Sequence, residues 1–260
     1  MSTSTTATRV TPVALITGGS RGLGKSMALH LADHGVDVVV TYKSGEREAR
    51  EVVAAVQQKG RKAAALALDV GDSRSFGAFA STLAHELEAA FQRDRFDHLV
   101  NNAGSGAHAS FAETTEEQFD QMVNVHLKST FFLTQKLLPL IADGGRILNV
   151  SSGLTRFTFP GYAAYASVKG AVEVLTHYLA KELGPRRITV NTVAPGAIET
   201  DFGGGAVRDN QELNKMIAGM TALGRVGLPD DIGAAVSLLL APEANWITGQ
   251  RIEVSGGTLL

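Results

Sequence analysis

Cysteine is absent from this chain of 260 residues, which excludes disulfides, thiolate nucleophiles and cysteine-ligated zinc. That absence accords with a cytoplasmic location, which is the expectation here. Charge of either sign is not in excess: 24 basic and 26 acidic side chains leave a net charge of −2. A nucleic acid or an anionic membrane surface therefore has no electrostatic claim on the chain. No apolar run approaches the roughly 18 residues that suggest a membrane span. Residues Met1 to Pro12 are mostly serine and threonine and lack the basic-then-apolar layout of a secretory signal, so they read as a disordered tail. Tyrosine is scarce enough to inspect residue by residue, with only Tyr42, Tyr162, Tyr165 and Tyr178.

What is present is a long alternation of two patterns. Val13–Thr17, Val36–Thr41, Ala63–Leu68, His98–Asn101, Arg146–Ser151, Ile188–Val193 and Arg251–Val254 are short apolar runs. Their near-continuous hydrophobicity suits strands buried on both faces. Between them lie helix-length amphipathic stretches such as Glu46–Lys59 and Ser75–Ala90, and Pro229-Asp230 opens another. Strand then helix, repeated, implies right-handed crossovers and a parallel sheet covered on both sides. The expectation is a single doubly wound α/β domain of the Rossmann type over residues 13–260, with about seven strands. Its ligands should sit beyond the carboxyl ends of the strands.

The turn after the first strand reads Thr17-Gly18-Gly19-Ser20-Arg21-Gly22-Leu23-Gly24-Lys25-Ser26. Glycines there permit a tight turn and close backbone approach to a phosphate at a helix N-terminus. Two readings compete. Gly19, four residues, then Gly24-Lys25-Ser26 spells an ATP- or GTP-binding loop, with Asp69 available as a magnesium ligand. The stretch does not spell the dinucleotide fingerprint G-x-G-x-x-G, and the other reading, Thr-Gly-x-x-x-Gly-x-Gly on Gly18, Gly22 and Gly24, rests on a family resemblance given below. The loop alone does not choose.

Among the tyrosines only Tyr165 has a lysine one helical turn on, Lys169. A free phenol, with a pKa of about 10, is a poor acid–base catalyst near neutrality. A neighbouring ammonium would lower it. Ser151 and Ser152 end the preceding strand, and strand alternation points their hydroxyls in opposite directions. His30 and His34 share a helix face, yet with no third ligand apparent they read as surface or packing residues, so no metal is expected.

Thr17-Gly-x-x-x-Gly22-x-Gly24, Asn101-Asn102-Ala103-Gly104, Ser152-x₁₂-Tyr165-x₃-Lys169 and Pro195-Gly196 together resemble the short-chain dehydrogenase/reductase family, in order, from about Val13 to Gly257. Its NADP(H)-dependent carbonyl and 3-oxoacyl reductases are the nearest pattern. The late Asp-Gly-Gly of that family is here Ser255-Gly256-Gly257. The resemblance implies a catalytic set of Asn124, Ser152, Tyr165 and Lys169 that moves hydride and proton on and off a carbonyl. It implies a cofactor site built from Gly18, Ser20, Arg21, Gly22, Leu23, Gly24, Thr41, Tyr42, Lys43, Ser44, Asp69, Val70, Asn102, Ala103, Gly104, Tyr165, Lys169, Pro195, Gly196, Ile198 and Thr200. A homotetramer is part of the same implication. A triphosphatase needs no serine–tyrosine–lysine set, so the resemblance turns the loop away from ATP or GTP.

The second strand ends Thr41-Tyr42-Lys43-Ser44, without the carboxylate that an NAD site places against the ribose 2′-hydroxyl. Arg21, Lys43 and Ser44 would suit a 2′-phosphate, so NADP(H) is expected over NAD(H) and reduction over oxidation. Ser105, Leu154, Phe157, Tyr162 and Phe202 are candidates for the substrate pocket. Residues 199–222, with Gly203-Gly204-Gly205, read as a lid. A small-molecule carbonyl or alcohol is the expected partner. A nucleotide-triphosphate-binding protein and a non-catalytic NADP-sensing protein on the same fold are the two competing functions.

Overall fold

The computed structural model describes residues 11–260. Seven strands form one sheet: β1 (Val13–Ile16), β2 (Asp37–Tyr42), β3 (Ala63–Ala67), β4 (Phe96–Asn101), β5 (Ile141–Val150), β6 (Thr189–Pro195) and β7 (Arg251–Val254). All pairs are parallel, in the order β3-β2-β1-β4-β5-β6-β7. The order reverses between β1 and β4, which opens a crevice beyond their carboxyl ends.

The helices are α1 (Gly22–Asp33), α2 (Glu46–Gln58), α3 (Phe76–Glu86), α4 (Glu116–Met122), α5 (Ser129–Leu137), α6 (Ala163–Leu183), α7 (Ala206–Asp209), α8 (Gln211–Gly219) and α9 (Pro229–Leu239). Alternate strand residues feed two cores. Leu15, Val39, Leu99 and Ile147 face α3, α5 and α6, where they meet Phe76, Leu83, Leu133 and Leu183. Ala14, Ile16, Val38, Val40 and Val100 face α1, α2 and α9, where they meet Met27, Leu31, Val52 and Val236. This is why the strands read as unbroken apolar runs: period-2 alternation is still there, but both faces are dry.

The expected strand positions hold, with shifted ends. The largest shift is at β5, which starts five residues before the expected Arg146. Ile141 pairs with Phe96, the register then slips, and Gly144 (φ +78°) and Gly145 take up the extra length. Short-range hydrophobicity does not show such a slip. Of the expected tail, residues 1–10 lie outside the described residues. Thr11 and Pro12 are tied to the sheet through Arg93 Nη1 on Thr11 O (2.7 Å) and Asp37 N on Pro12 O (2.9 Å).

A polar rung crosses the α5/α6 face. Asn101 Nδ2 donates to Asn149 Oδ1 (2.8 Å) and Thr134; Asn149 Nδ2 donates to Thr176 Oγ1 (2.9 Å), which also accepts from Thr192 (2.8 Å). These groups are buried, so each hydrogen bond made inside costs about 1–3 kcal/mol to leave unmade. The rung fixes α6 against β4, β5 and β6, and α6 carries Tyr165 and Lys169. Asn149→Leu is expected to lower unfolding free energy by about 2–4 kcal/mol, since it removes one buried hydrogen bond from Asn101 and one from Thr176. Urea denaturation checks this, and an unchanged midpoint would refute the rung's structural role.

His98, in the middle of β4, is pushed down to about 4 by burial, against an ordinary value of 6.5. Its native form therefore stays neutral while the unfolded chain takes up a proton below pH 6.5, so stability drops as pH falls from 6.5 toward 4. His98→Leu should remove on the order of 1 kcal/mol of that loss between pH 7 and pH 5, read as a smaller drop in melting temperature.

Candidate active site

The glycine turn, Asn102, Ser152 and Pro195-Gly196 all follow strand ends on one side of the sheet. Thr17 ties the first two together. Its hydroxyl accepts from the backbone N–H of Asn102 (2.9 Å) and Ala103 (3.0 Å), and Asn102 Nδ2 returns hydrogen bonds to Thr17 O (2.8 Å) and Gly18 O (3.1 Å). A Cβ on Gly18, whose φ is +66°, would lie 2.9 Å from Ala103 Cα, and one on Gly24 would strike Asn102 Nδ2 at 2.7 Å. Only glycine lets the two loops close. Thr41 holds the turn from the other side, accepting from Gly18 N through its hydroxyl (3.2 Å) and from Gly19 N through its carbonyl (2.9 Å).

Beyond this turn, α1 begins with no side-chain cap and no acidic residue in its first turn, so its leading N–H groups could meet a diphosphate. The triphosphate-loop reading fails on geometry. Lys25 is exposed, and Ser26, which would have to face a metal, donates instead to Asp230 Oδ1 on α9 (2.7 Å). Leu23 and Tyr42 pack on the apolar core between α1, α2 and the sheet, and Val70 packs on the opposite core. Thr200 Cγ2 lies within 3.7 Å of the place a Gly22 side chain would take, so the segment after β6 reaches the glycine turn. Ile198 bridges to Gly227, and Gly196 is pressed against Ser255.

Arg21, Lys43 and Ser44 are exposed at the mouth of this cleft, and the Ser20 hydroxyl faces Gly45 at the start of α2. Lys43 Nζ pairs with Asp69 Oδ2 (2.8 Å), which holds that carboxyl below its usual range. Asp69 is therefore engaged by Lys43 and by Gly71 N (2.8 Å). Arg21 lies 3.8 Å from Asp201. His30 sits 3.6 Å from Asp230, and His34 Nδ1 bonds to His30 O.

Tyr165 and Lys169 lie one turn apart on α6, both buried. Burial pushes the phenol above its ordinary value; the Ser152 hydroxyl acts in the opposite sense and Tyr162 adds to the rise. Burial likewise pushes Lys169 down to about 7. The lysine Nζ donates to Val150 O (2.7 Å) and stands 5.6 Å from the Tyr165 ring centroid. The expected lowering of the phenol by its ammonium neighbour is thus outweighed here by loss of water around both groups. The phenol stays protonated, which is the form that donates.

Of the two serines, Ser151 turns inward and donates to Glu173 Oε1 (2.6 Å), while Ser152 accepts from Leu154 N (3.2 Å) on the site side. Glu173 also receives Thr155 and Arg251, and Arg251 reaches Ser152 O, so this carboxylate pins the Ser152 loop from behind. Asn124 lies in a π turn, Val123–Lys128, which packs against α6 and in which its carbonyl accepts from Ser129 N. Its side chain makes no hydrogen bond among the described residues. His126, two residues on and therefore close to the opposite face of the turn, is the one whose ring meets Tyr165, 5.3 Å away and edge-on. The sequence reading missed it because nothing local marks which face of a distorted turn looks inward.

An open cleft of about 300 Å³ runs beside Tyr162, lined also by Phe111, Leu154, Phe159, Pro160 and Ala166. Leu154 and Tyr162 face this cleft together. Phe202 lies against Tyr165, with ring centroids 5.8 Å apart, and covers Gly106. Ser105 contributes its carbonyl, which bonds to His126. Phe157 covers Gly153, carries the Arg156 guanidinium over its ring and meets Phe159 of the cleft, with ring centroids 5.7 Å apart. The segment after Thr200 folds as a turn with three glycines in the left-handed region, followed by α7 and α8.

Comparison with known proteins places this geometry. A family model described as enoyl-(acyl carrier protein) reductase matches residues 18–258. The hydroxynaphthalene reductase-like protein Arp2 of Metarhizium brunneum is 36% identical over 263 residues, covering 95% of this chain and 94% of that protein. The solved structure of LugOII, a promiscuous reductase that catalyses keto-reduction at C1 in lugdunomycin biosynthesis, superposes with a TM-score of 0.91 at 40% identity, covering 97% of this chain and 100% of that one. The angucycline C-6 ketoreductase LanV with bound NADP gives 0.91 at 38% identity, with 96% of each chain covered. The chain belongs to the short-chain dehydrogenase/reductase family.

Proposed function

We propose that this protein reduces a ketone on or beside a fused aromatic ring, using NADPH and taking the proton from Tyr165. The observation that carries the reading is the buried Tyr165 phenol, with Lys169 one turn behind it and Ser152 beside it. The nicotinamide, when bound, supplies the hydride. Ser152 holds the carbonyl oxygen, and Tyr165 gives that oxygen its proton. Lys169, with a pKa brought near 7 by burial, gains and loses a proton readily at neutral pH and stands where it can restore the phenol. Gly18, Gly22, Gly24 and the first turn of α1 would hold the diphosphate, and Asn102, Ala103, Ile198 and Thr200 would frame the nicotinamide.

NADPH is favoured over NADH because β2 is followed by Lys43 and Ser44 and not by a carboxylate, with Arg21 exposed on the glycine turn, and a 2′-phosphate would draw Lys43 from Asp69 and Arg21 from Asp201. The aromatic class of substrate is supported by the ring-lined cleft at Tyr162 and Phe159 and by the reductases of hydroxynaphthalene and angucycline name that the chain resembles. A 3-oxoacyl thioester is less well served by such a wall. A homotetramer in the cytoplasm belongs to the same proposal; Phe131, Phe132, Val174 and Tyr178 offer exposed apolar side chains on α5 and α6 for subunit contact. No helix among the described residues is long and apolar enough to cross a membrane.

Oxidation of NADPH against a carbonyl panel that includes 1-tetralone, with NADH and ATP controls, tests the reaction class. Tyr165→Phe should retain NADPH binding while kcat drops by about 10²-fold or more. Near-normal turnover would sink the assignment and favour a cofactor-sensing protein. Replacing Arg21 and Lys43 together by alanine should raise KM for NADPH about tenfold or more and leave that for NADH nearly unchanged. Equal losses with both cofactors would rule out the 2′-phosphate role.

A further inference from the structure

His126 is the one buried imidazole in the site that the reaction above does not use. It is 2% exposed. Its Nε2 lies 2.7 Å from Ser105 O, and a carbonyl only accepts, so Nε2 carries the proton and Nδ1 is a bare lone pair. That Nδ1 is buried and has no partner among the described residues. The ring lies over Gly104, where a Cβ would come within 2.7 Å of Cε1 and 3.2 Å of Nδ1. Its edge meets the Tyr165 ring at 86° and 5.3 Å. One side chain thus touches both the loop after β4 and the proton donor on α6. Burial and the Lys169 charge push it down to about 3, so the imidazole is neutral at neutral pH.

We infer that His126 is a positioning residue. Its Nε2–H fixes the Gly104-Ser105 backbone, and its ring edge fixes the Tyr165 phenol, so that the proton donor and the wall of the nicotinamide cleft keep one spacing. The π turn is what makes this possible. The extra residue between α4 and α5 turns position 126 inward, and Thr130 donates back to His126 O (2.7 Å) to hold the backbone there. Gly104 is glycine because this ring lies on it. The hydrogen bond, more than ring packing, is the determining contact, because without it the Ser105 carbonyl loses its partner and the loop its registration to α6.

This inference rests on Tyr165 being the proton donor. Two substitutions separate hydrogen bond from packing. His126→Gln keeps an N–H at the reach of Nε2 toward Ser105 O without a ring, and His126→Phe keeps a ring edge without the N–H. With 1-tetralone as carbonyl probe, His126→Phe should lower kcat about tenfold or more while KM and Kd for NADPH stay within about threefold. His126→Gln should keep about a third or more of wild-type kcat. Hydrogen exchange in residues 103–106 should accelerate about tenfold in the Phe variant and remain near wild type in the Gln variant. If the Phe variant does not accumulate, His126→Leu replaces it under the same criteria. Wild-type kcat in the Phe variant, equal losses in both variants, or a loss confined to NADPH affinity would each overturn the proposal. Tyr165→Phe, assayed in parallel, isolates the other premise. If it turns over normally, the proton-donor reading falls, while the exchange data still decide whether His126 holds Ser105.

Discussion

The cross-link between Thr17 and Asn102 is the constraint on which the site depends. A parallel sheet whose order reverses between β1 and β4 leaves a gap at exactly that pair of strand ends only if the two departing loops are held to a fixed separation. Thr17 does this with one hydroxyl accepting two backbone N–H groups, and Asn102 replies with two bonds to the carbonyls of Thr17 and Gly18. The glycines then follow from the closeness of the loops, since Gly18 touches Ala103 and Gly24 lies over the Asn102 amide. The cleft floor is therefore set by main-chain groups, which have no rotamers to lose when a ligand enters.

The second wall is carried by α6. Twenty-one residues of helix place Tyr165 and Lys169 on one buried stripe, and the rung through Asn149 and Thr176 locks that stripe to the sheet. Burial has a chemical consequence beyond rigidity. It biases the phenol toward its protonated form and the lysine toward a pKa near neutrality, so the group proposed as the donor holds a resting proton. Glu173 and Arg251 secure the Ser152 loop from behind, and His126 secures the loop after β4 in front. These supports come from four different elements, which is what keeps a small set of reacting groups at fixed spacing.

Much of this was legible in the chain itself. Residue alternation and apolar runs located all seven strands, and the Ser152–Tyr165–Lys169 spacing located residues that the fold brings into one place. The choice of Ser152 over Ser151 followed from strand alternation, and the inward turn of Ser151 onto Glu173 agrees with it. Three details were not legible. Nothing local shows that the π turn presents His126 to Tyr165. Nor does the sequence show that Phe157 covers Gly153. The effect of Lys169 on Tyr165 was expected to lower the phenol, whereas burial governs both.

The sequence by itself determined what depends on local period and on spacing along one element: strand and helix identity, the glycine turn, and a lysine one turn from a tyrosine. Tertiary structure decided what depends on how separate elements meet. The glycine turn taken alone fits a triphosphate as well as a dinucleotide, and the engagement of Ser26 by Asp230 on α9 is a fact of packing that no local spacing shows. The face of a distorted turn, the water around a phenol and the partner of an imidazole are properties of packing, and packing is set by residues far apart in the chain.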